Sequence, residues 1–295
     1  MVGLEELDAF DLLIWLGRGV DAAQRLGCNQ STVSRRSNQC LQVFDLRLHR
    51  DAEGQACTRR HPLLTLEREV HQLHRLRTGE RLRIESSLLA APLLAPGLPT
   101  GWIAGHLNGL GWQRPMQLLE QRICDVWLTA MGQELPKHAL ASMLCIQLLR
   151  TPLQMAAEAH HPLLRQGTLQ TSDLTGFPRL APRRALYPCT EEQLGPWRHH
   201  TAPMSLEEAT RYQASKAGGA RTSTSALTLH YGTAFSFAHQ TLLQVLPLEL
   251  GVQTQLSLIV RRDVVNNAPI EQLIETLQQR ALEAAQAEQG VISLN

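Results

Sequence analysis

The sequence lacks the features of a secreted or membrane-embedded chain. Its six cysteines are widely scattered and form no CxxC pair, which disfavours a disulfide framework and predicts reduced thiols. No apolar run approaches the roughly 18 residues that a membrane-spanning helix needs. The first residues carry Glu5, Glu6, Asp8 and Asp11, where a signal peptide needs positive charge. We therefore expect a cytoplasmic protein without a membrane partner.

The common signatures of catalysis and metal binding are also missing. The sequence contains no GxSxG, GxGxxG, Walker or HExxH motif. The histidine pairs at 160–161 and 199–200 are adjacent residues, which point apart on a helix or a strand. His71 and His74 lie about one helical turn apart, but no third ligand is evident and zinc sites need three or four. We expect no enzyme, no metal and no cofactor.

The charge of the chain is nearly balanced overall but uneven at its start. The 295 residues, 43% of them hydrophobic, allow two or three domains, and the net charge is +1. Affinity for nucleic acid therefore requires a local patch. Residues 22–60 carry seven arginines against three acidic residues, whereas residues 1–21 carry one arginine against five. A basic block of this size is what a small nucleic-acid-binding module needs.

Hydrophobic periodicity predicts three helices in this region. Apolar residues at three- and four-residue steps indicate an amphipathic helix over residues 4–16 that ends near Gly17 and Gly19. A short helix over residues 21–26 stops at Gly27, and Asn29 is a good N-cap for a third, longer helix. A short helix, a tight glycine turn and a longer helix form the helix-turn-helix arrangement.

The third helix has an apolar face and a polar face. Val33, Ser37, Cys40, Leu41 and Phe44 share the apolar face. Residues near the N-terminus of a helix in the major groove reach base edges, and the residues so placed are Gln30, Ser31, Thr32, Ser34 and Arg35. The arginines predicted to neutralise the DNA backbone are Arg36, Arg50, Arg59 and Arg60. The alternative is that this polar face is only solvated surface.

The rest of the chain alternates between strand and helix patterns. Residues 46–60 alternate around Glu53-Gly54 and predict a two-stranded wing. Residues 61–78 predict a connecting helix that carries Leu63, Leu66, Val70, Leu73 and Leu76. Strand patterns then recur between helical stretches, and a long amphipathic helix over residues 269–288 closes the chain. This alternation predicts an α/β sheet covered by helices, with strands at residues 81–86, 126–128, 145–148 and 255–260.

The N-terminal part resembles the LysR-type transcriptional regulators over residues 4–50. The resemblance is carried by Leu7-x-x-Phe10, Ala22-Ala23-Gln24-Arg25-Leu26, Asn29-Gln30-Ser31-Thr32-Val33-Ser34-Arg35 and Leu46-x-Leu48. It implies an all-α winged helix-turn-helix head plus an α/β two-lobed effector domain like a periplasmic binding protein. The implied boundaries are residues 1–60 for the head, 61–79 for a linker helix and 80–295 for the effector domain.

The resemblance also implies an effector site in the cleft between the two lobes. Carried over by position, that site contains Ser86, Ser87, Thr129 and Arg184, with Tyr187 nearby. Hydroxyl groups at a helix N-terminus can hold a carboxylate, and an arginine adds a bidentate partner. The alternatives are that the two serines only cap the following helix and that Arg184 is a surface residue.

The resulting expectation is a sequence-specific transcriptional regulator controlled by a small-molecule effector. Its expected partners are double-stranded promoter DNA, the effector, and further copies of itself in a dimer or tetramer. The alternative is a solute-binding or scaffolding protein with a vestigial DNA-binding head. Two observations keep that alternative open: the linker helix is several turns shorter than is usual for the family, and only Cys57-Thr58 stand where the family has an LT-x-x-G motif after the wing.

Overall fold

A computed structural model describes residues 2–50, 56–87, 89–106, 111–130, 132–136, 138, 140–174, 177, 179–180, 188–193, 229–233, 243–287 and 292–294. Within these residues the α-helices are α1 (Leu4–Leu16), α2 (Gly19–Leu26), α3 (Gln30–Val43), α4 (Pro62–Thr78), α5 (Gln113–Glu120), α6 (Pro188–Gln193) and α7 (Ala268–Ala287). The strands are β1 (His49–Arg50), β2 (Ala56–Cys57), β3 (Leu82–Ser86), β4 (Trp102–Ala104), β5 (Val126–Thr129), β6 (Met143–Glu158), β7 (Arg179–Leu180), β8 (Leu229–Thr233), β9 (Leu243–Val245), β10 (Gln253–Arg261) and β11 (Ile292–Ser293). In this part of the chain, no helix is long and apolar enough to cross a membrane.

The first three helices end where the sequence pattern predicts, and α2 begins at Gly19 rather than at the predicted residue 21. Gly17 and Gly27 close α1 and α2 with φ angles of 72° and 63°, a left-handed conformation that glycine adopts without steric cost. Asn29 is the N-cap of α3, as predicted, but its side chain makes no capping hydrogen bond. The backbone carbonyl of Asn29 instead accepts from the amides of Thr32 and Val33 at 2.9 and 3.2 Å.

A small antiparallel sheet follows the three helices. β1 pairs with β2, and His49 lies opposite Cys57 and Arg50 opposite Ala56. The predicted tip of the wing, Glu53-Gly54, lies outside the described residues. The described residues within 2–57, called the head below, therefore contain three helices and a two-stranded sheet, so the head is not purely α-helical.

The remaining strands form one sheet, and its two halves are connected by one long strand, β6. The strand order is β4-β3-β5-β10-β6-β8-β7, and β9 and β11 also pair with β6. β6 is 16 residues long. Its first part pairs with β10, and its last part pairs with β8 and β9. Lobe 1 therefore comprises β3, β4, β5 and β10 with the first part of β6, and lobe 2 comprises β7, β8 and β9 with its last part. This mixed sheet agrees with a two-lobed domain.

Each face of the lobe 1 sheet is covered by a different set of helices. One face packs on α7, where Leu82, Ile84, Val126 and Leu258 meet Ile270, Leu273 and Leu277. Strand alternation sends the neighbouring residues to the other face. There Trp127 and Ile259 share a buried cluster with Met116 and Leu119 of α5 and with Leu7 and Phe10 of α1. The head and lobe 1 therefore share one hydrophobic core.

The prediction of an amphipathic first helix is wrong, because α1 is buried on nearly all of its surface from Leu7 onward. From Leu7 to Leu16 every residue except Leu13 is buried, including Asp8 and Asp11. A helix that is apolar on all sides belongs in a core rather than at a surface. One side of α1 contacts α2 and α3, and Leu7 and Phe10 of α1 belong to the same buried cluster as Trp127 and Ile259 of the lobe 1 sheet. The inner side of α1 is therefore part of the core that the head shares with lobe 1.

The two aspartates of α1 pair with arginines from outside the head. Asp11 accepts from Arg68 of α4 at 2.8 Å, and both side chains are buried. Asp8 accepts from Arg83 of β3 at 2.7 Å and from Arg81 at 3.0 Å. Burial opposes ionisation of Asp8, but the charges of Arg83 and Arg81 outweigh it and hold the pKa of this carboxyl below its usual value. Part of the acidic block of residues 1–21 is therefore internal.

A third buried carboxylate ties α4 to lobe 1. Asp125, which precedes β5 and is fully buried, accepts from Arg75 at 2.9 Å and from Gln72 at 3.0 Å. It also accepts from the backbone amide of Arg83 at 2.8 Å. Because a buried carboxylate needs several donors to offset its lost hydration, these contacts hold α4 firmly against the sheet.

We predict that Asp11→Ala destabilises the protein strongly. The substitution leaves the buried Arg68 without its carboxylate, and loss of one partner of a buried ion pair typically costs about 3–5 kcal/mol. Glu5→Ala on the same helix is the matched control, because Glu5 is exposed and pairs with Arg36 at the surface, so its loss should change stability by less than about 1 kcal/mol. Urea-induced unfolding of both variants measures the difference. Equal unfolding midpoints for Asp11→Ala and the unmodified protein would contradict the buried network.

Candidate functional site

The outward face of α3 is polar and accessible. Gln30, Ser31, Ser34 and Arg35 are exposed and Thr32 is partly exposed, whereas Val33, Ser37 and Cys40 are buried on the opposite side. Phe44 is buried and Leu41 is partly buried, so the predicted division of the helix into two faces is present. No acidic residue occurs in α3. An acid-free helix face with hydroxyl, amide and guanidinium groups suits a polyanionic surface.

Close packing brings the start of α2 against the start of α3. A Cβ atom added at Gly19 would lie 3.1 Å from Cγ of Gln30, closer than most real contacts. Glycine at this position therefore lets α2 approach the first turn of α3. The approach places Gln30 at the corner between the two helices, at the N-terminal end where free backbone amides favour an anion.

The predicted backbone-contacting arginines differ in their surroundings. Arg50 of β1 and Arg59 are exposed, and their guanidinium groups donate to the carbonyls of Gly17 and Asp45 at 3.5 and 3.3 Å. Arg60 is exposed but pairs with Glu120 of α5 at 2.7 Å. Arg36 pairs with Glu5 of α1, so its charge is already matched within the head. Of these four arginines, Arg36 and Arg60 thus have a carboxylate partner within the described residues.

The contacts between the head and lobe 1 leave the α3 face uncovered. They include contacts of α1, α2 and β2. The guanidinium of Arg114 in α5 donates to the carbonyls of Ile14 and Ala56 at 2.7 and 2.9 Å. Nε2 of His106 lies 3.6 Å from the carboxylate of Asp21 in α2. The indole N–H of Trp15 donates to Glu85 of β3 at 2.6 Å. Docking on lobe 1 therefore buries the inner side of the head and exposes its α3 side.

Three of the predicted effector-site residues come together at the ends of β3 and β5. These strands are parallel, so their carboxyl ends meet at one edge. The amide of Ser87 donates to the carbonyl of Leu128 at 2.9 Å, and the amide of Ala130 donates to Oγ of Ser87 at 3.2 Å. Ser86, Ser87 and Thr129 are all buried. Arg184 and Tyr187 lie outside the described residues.

The serine hydroxyls are engaged locally, but not as helix caps. Oγ of Ser86 donates to the carbonyl of Ser87 at 3.1 Å. The following 3-10 turn, Ala91–Leu94, has no side-chain cap, and the carbonyl of Ser87 accepts from the amides of Ala90 and Ala91. Alternation along the strands places Ser86 with Leu82 and Ile84 on the α7 side of the sheet and Thr129 with Trp127 on the other side. The three residues therefore share an edge and not a face.

Helix α4 turns a polar face toward the protein and an apolar face toward the surface, which is the reverse of an ordinary amphipathic helix. Leu63, Leu66, Val70 and Leu73 are 60%, 59%, 62% and 48% exposed. The polar residues Arg68, His71, Gln72 and Arg75 face the protein and are buried. Burial lowers the pKa of His71 despite the nearby carboxylates of Asp11 and Asp8. The four exposed apolar residues, called the α4 stripe below, follow one another at steps of three, four and three, which is the spacing of a coiled-coil seam.

Two of the cysteines, Cys40 and Cys124, are deeply buried. Burial raises the pKa of Cys40 to about 12 and raises that of Cys124 well above its ordinary value. Such thiols stay protonated and are poor nucleophiles. In the same residues, no three histidine, cysteine, aspartate or glutamate side chains are grouped so as to hold a metal ion.

Comparison with known proteins identifies similar structures but no close sequence. No protein-family model matches the chain, and no curated protein matches it. Full-length OxyR from Pseudomonas aeruginosa superposes with a TM-score of 0.51 at 14% identity, over 95% of this chain and 97% of OxyR. Full-length CbnR, solved in complex with its target DNA, gives 0.50 at 16% identity, over 94% of this chain and 99% of CbnR.

A third match covers the C-terminal part alone. The regulatory domain of MetR, a LysR family regulator from N. meningitidis, superposes with a TM-score of 0.50 at 12% identity, over 73% of this chain and 99% of that domain. At these identities the matches show a shared fold. The chain has the fold of full-length LysR family regulators, including their regulatory domain.

Proposed function

We propose that the protein is a LysR-type, sequence-specific DNA-binding transcriptional regulator controlled by a small molecule bound between its lobes. One observation carries the proposal: the polar, acid-free face of α3 is exposed although α1 of the same head is buried against lobe 1. We assign the winged helix-turn-helix head to residues 1–60, the linker helix to 61–79 and the effector domain to 80–295. CbnR, which has the same fold, has been solved with its target DNA.

Side-chain chemistry supports α3 as the element that reads the major groove. A glutamine can pair with adenine and an arginine with guanine, which suits Gln30 and Arg35. Ser31, Thr32 and Ser34 offer hydroxyls to bases or phosphates. Arg50 and Arg59 supply charge for the DNA backbone, with Arg36 in a lesser role because of its pairing with Glu5. Such contacts predict an affinity that falls as the salt concentration rises.

We predict that Arg35→Ala weakens binding to a preferred DNA sequence. Loss of one arginine that contacts a base typically costs about 1–3 kcal/mol and relaxes specificity at that base pair. Fluorescence anisotropy at two salt concentrations measures the effect on a duplex selected from genomic fragments with the unmodified protein. Arg165→Ala is the control, because Arg165 is an exposed arginine of lobe 2 whose removal changes the net charge equally.

The same titrations separate the regulator from a protein with a vestigial head. A regulator prefers its selected duplex over a scrambled duplex of equal length at both salt concentrations. Absence of any such preference in the unmodified protein would favour the solute-binding or scaffolding alternative. Unchanged affinity and preference in Arg35→Ala would count against α3 as the reading face.

The edge formed by β3 and β5 supports a small-molecule site. In open α/β sheets, ligands bind at the carboxyl ends of parallel strands, which is where Ser86, Ser87 and Thr129 lie. Arg184 completes the proposed effector site as the partner of an anionic group. The proposed effector is a small molecule that carries a carboxylate or another anionic group.

We predict that an effector found by thermal-shift screening of aromatic acids, amino acids and other small anions loses its effect in Thr129→Val. At a concentration of 100 times its dissociation constant, a ligand stabilises the folded protein by about 2.7 kcal/mol. Thr129→Val keeps the shape of the side chain and removes its hydroxyl. Ser142→Ala, an exposed serine just before β6, is the control. A thermal shift of the same size in Thr129→Val would remove this residue from the proposed site.

The α4 stripe supports self-association of the protein. A contiguous row of four exposed apolar residues is unusual on a monomer, and its coiled-coil spacing fits a second copy of the same helix. A twofold dimer would present two α3 helices and read a palindromic site. We propose that α4 of one protomer packs on α4 of its partner in this dimer.

We predict that Val70→Glu converts the dimer into a monomer. A charge in the middle of the α4 stripe would be buried without a partner in the dimer, which is strongly unfavourable. Leu282→Glu is the control, because Leu282 of α7 is exposed outside the stripe. Sedimentation velocity at several protein concentrations measures the mass of each variant. A Val70→Glu protein that still sediments as a dimer would show that the stripe is not the interface.

A further inference from the structure

We infer that the head reads DNA while it is docked on its own lobe 1, and that Arg114 of α5 is a positioning residue that sets the direction of α3. The inference rests on the proposed function, because it concerns how the DNA-reading face is held. It adds that the head and lobe 1 act as one rigid body rather than as two bodies joined by a flexible linker.

The first support is the continuous core between the head and lobe 1. Leu7 and Phe10 of α1 belong to the same buried cluster as Trp127 of β5, Ile259 of β10 and Met116 of α5. Removing the head would expose this face of the sheet and the inner side of α1 to water. Because the hydrophobic effect penalises both exposures, the docked arrangement is strongly preferred.

The second support is that three separate elements hold the head by polar contacts. β3 contributes Arg83 to Asp8 and Glu85 to Trp15. α4 contributes Arg68 to Asp11, and α5 contributes Arg114. A body attached at several separated points cannot rotate without breaking one of them. Rotation would also leave buried charges unpaired, which is far more costly than breaking a surface ion pair.

Arg114 has a special place among these contacts. Its guanidinium donates to the carbonyl of Ile14, in the last turn of α1, and to the carbonyl of Ala56 in β2. One side chain of lobe 1 thus binds a helix and the wing strand of the head together. Both hydrogen bonds are accepted by backbone carbonyls. They therefore restrain the orientation of the head and do not depend on which side chains the accepting residues carry.

The docked head is already competent to read DNA. The docking contacts described above come from α1, α2 and β2, whereas the outward residues of α3 and both residues of β1 are exposed. The head therefore does not need to leave lobe 1 before α3 can enter a groove. In a dimer, the distance and angle between the two α3 helices would then be set by lobe 1 and α4. Such a protein should accept only a narrow range of half-site spacings.

The experiment compares Arg114→Met with the unmodified protein on DNA of varied half-site spacing. Two probes are derived from a duplex selected with the unmodified protein: a duplex with a single half-site and a duplex with two half-sites. In a third probe, about five base pairs are inserted between the two half-sites, which is half a helical turn. Arg280→Met is the matched control, because Arg280 of α7 also donates to a backbone carbonyl of lobe 1, that of Leu93 at 3.1 Å, away from the head.

We expect the insertion to weaken binding of the unmodified protein and of Arg280→Met by about tenfold or more, a typical size for coupling between two sites. Arg114→Met should keep its affinity for the single half-site within about twofold and lose part of this spacing penalty, because the contacts of Arg83 and Arg68 with the head remain. An unchanged spacing penalty in Arg114→Met would overturn the inference. An equal loss of affinity for the single half-site would also overturn it, because Arg114 would then support the fold of the head and not its direction.

Hydrogen exchange without DNA tests the rigid body independently of the proposed function. In the unmodified protein, the amides of α1 should exchange as slowly as those of β3 and β5, since they belong to one cooperative unit. In Arg114→Met, α1 should exchange faster while β3 and β5 stay unchanged. If α1 of the unmodified protein exchanges much faster than β3 and β5, the inference fails. If α1 is protected but no DNA is bound, the proposed function fails and the docking stands.

Discussion

The arrangement of the molecule depends on the two buried carboxylates of α1. Asp8 and Asp11 lie inside the protein, and a buried carboxylate is tolerated only when cationic and hydrogen-bonding partners surround it. Within the described residues, those partners come from α4 and from the start of lobe 1, not from the head itself. The head therefore has to sit on lobe 1 for α1 to be stable in this position. The exposure of α3 follows, because α1 and α3 occupy opposite sides of the head.

The same constraint explains why α4 is short and why its polar face, rather than its apolar face, is buried. Its polar residues Arg68, Gln72 and Arg75 face inward because Asp11 and Asp125 need them there. A head that rests directly on lobe 1 needs only a 17-residue connection. With the polar side used internally, the apolar side is left at the surface, where it is available to a second copy of the chain. One set of ion pairs thus links head placement, linker length and the proposed dimer.

Local features of the fold were predictable, whereas side-chain partners were less so. The ends of α1, α2 and α4 follow from glycines that take a left-handed conformation, a property of single residues. The strands at 82–86, 126–129 and 253–261 follow from alternation within short windows. The unused side chain of Asn29 and the pairing of Arg36 with Glu5 were not predictable, because each depends on a competing partner. The uniformly apolar sequence around Asp8 and Asp11 is the signal that could have indicated a buried α1.

The sequence by itself determined the three helices of the head, the helix that follows them, four strands of the large sheet and the closing helix, together with the polar face of α3 and the resemblance to a known family of regulators. These depend on residues within a few turns of one another, whose spacing is readable along the chain. Only the tertiary structure decided that α1 shares a core with lobe 1, that three leucines of α4 face outward and that Arg114 donates hydrogen bonds to the head. Those outcomes depend on which charges meet across distant segments, such as Asp8 with Arg83, and no local pattern records the partner of a buried charge.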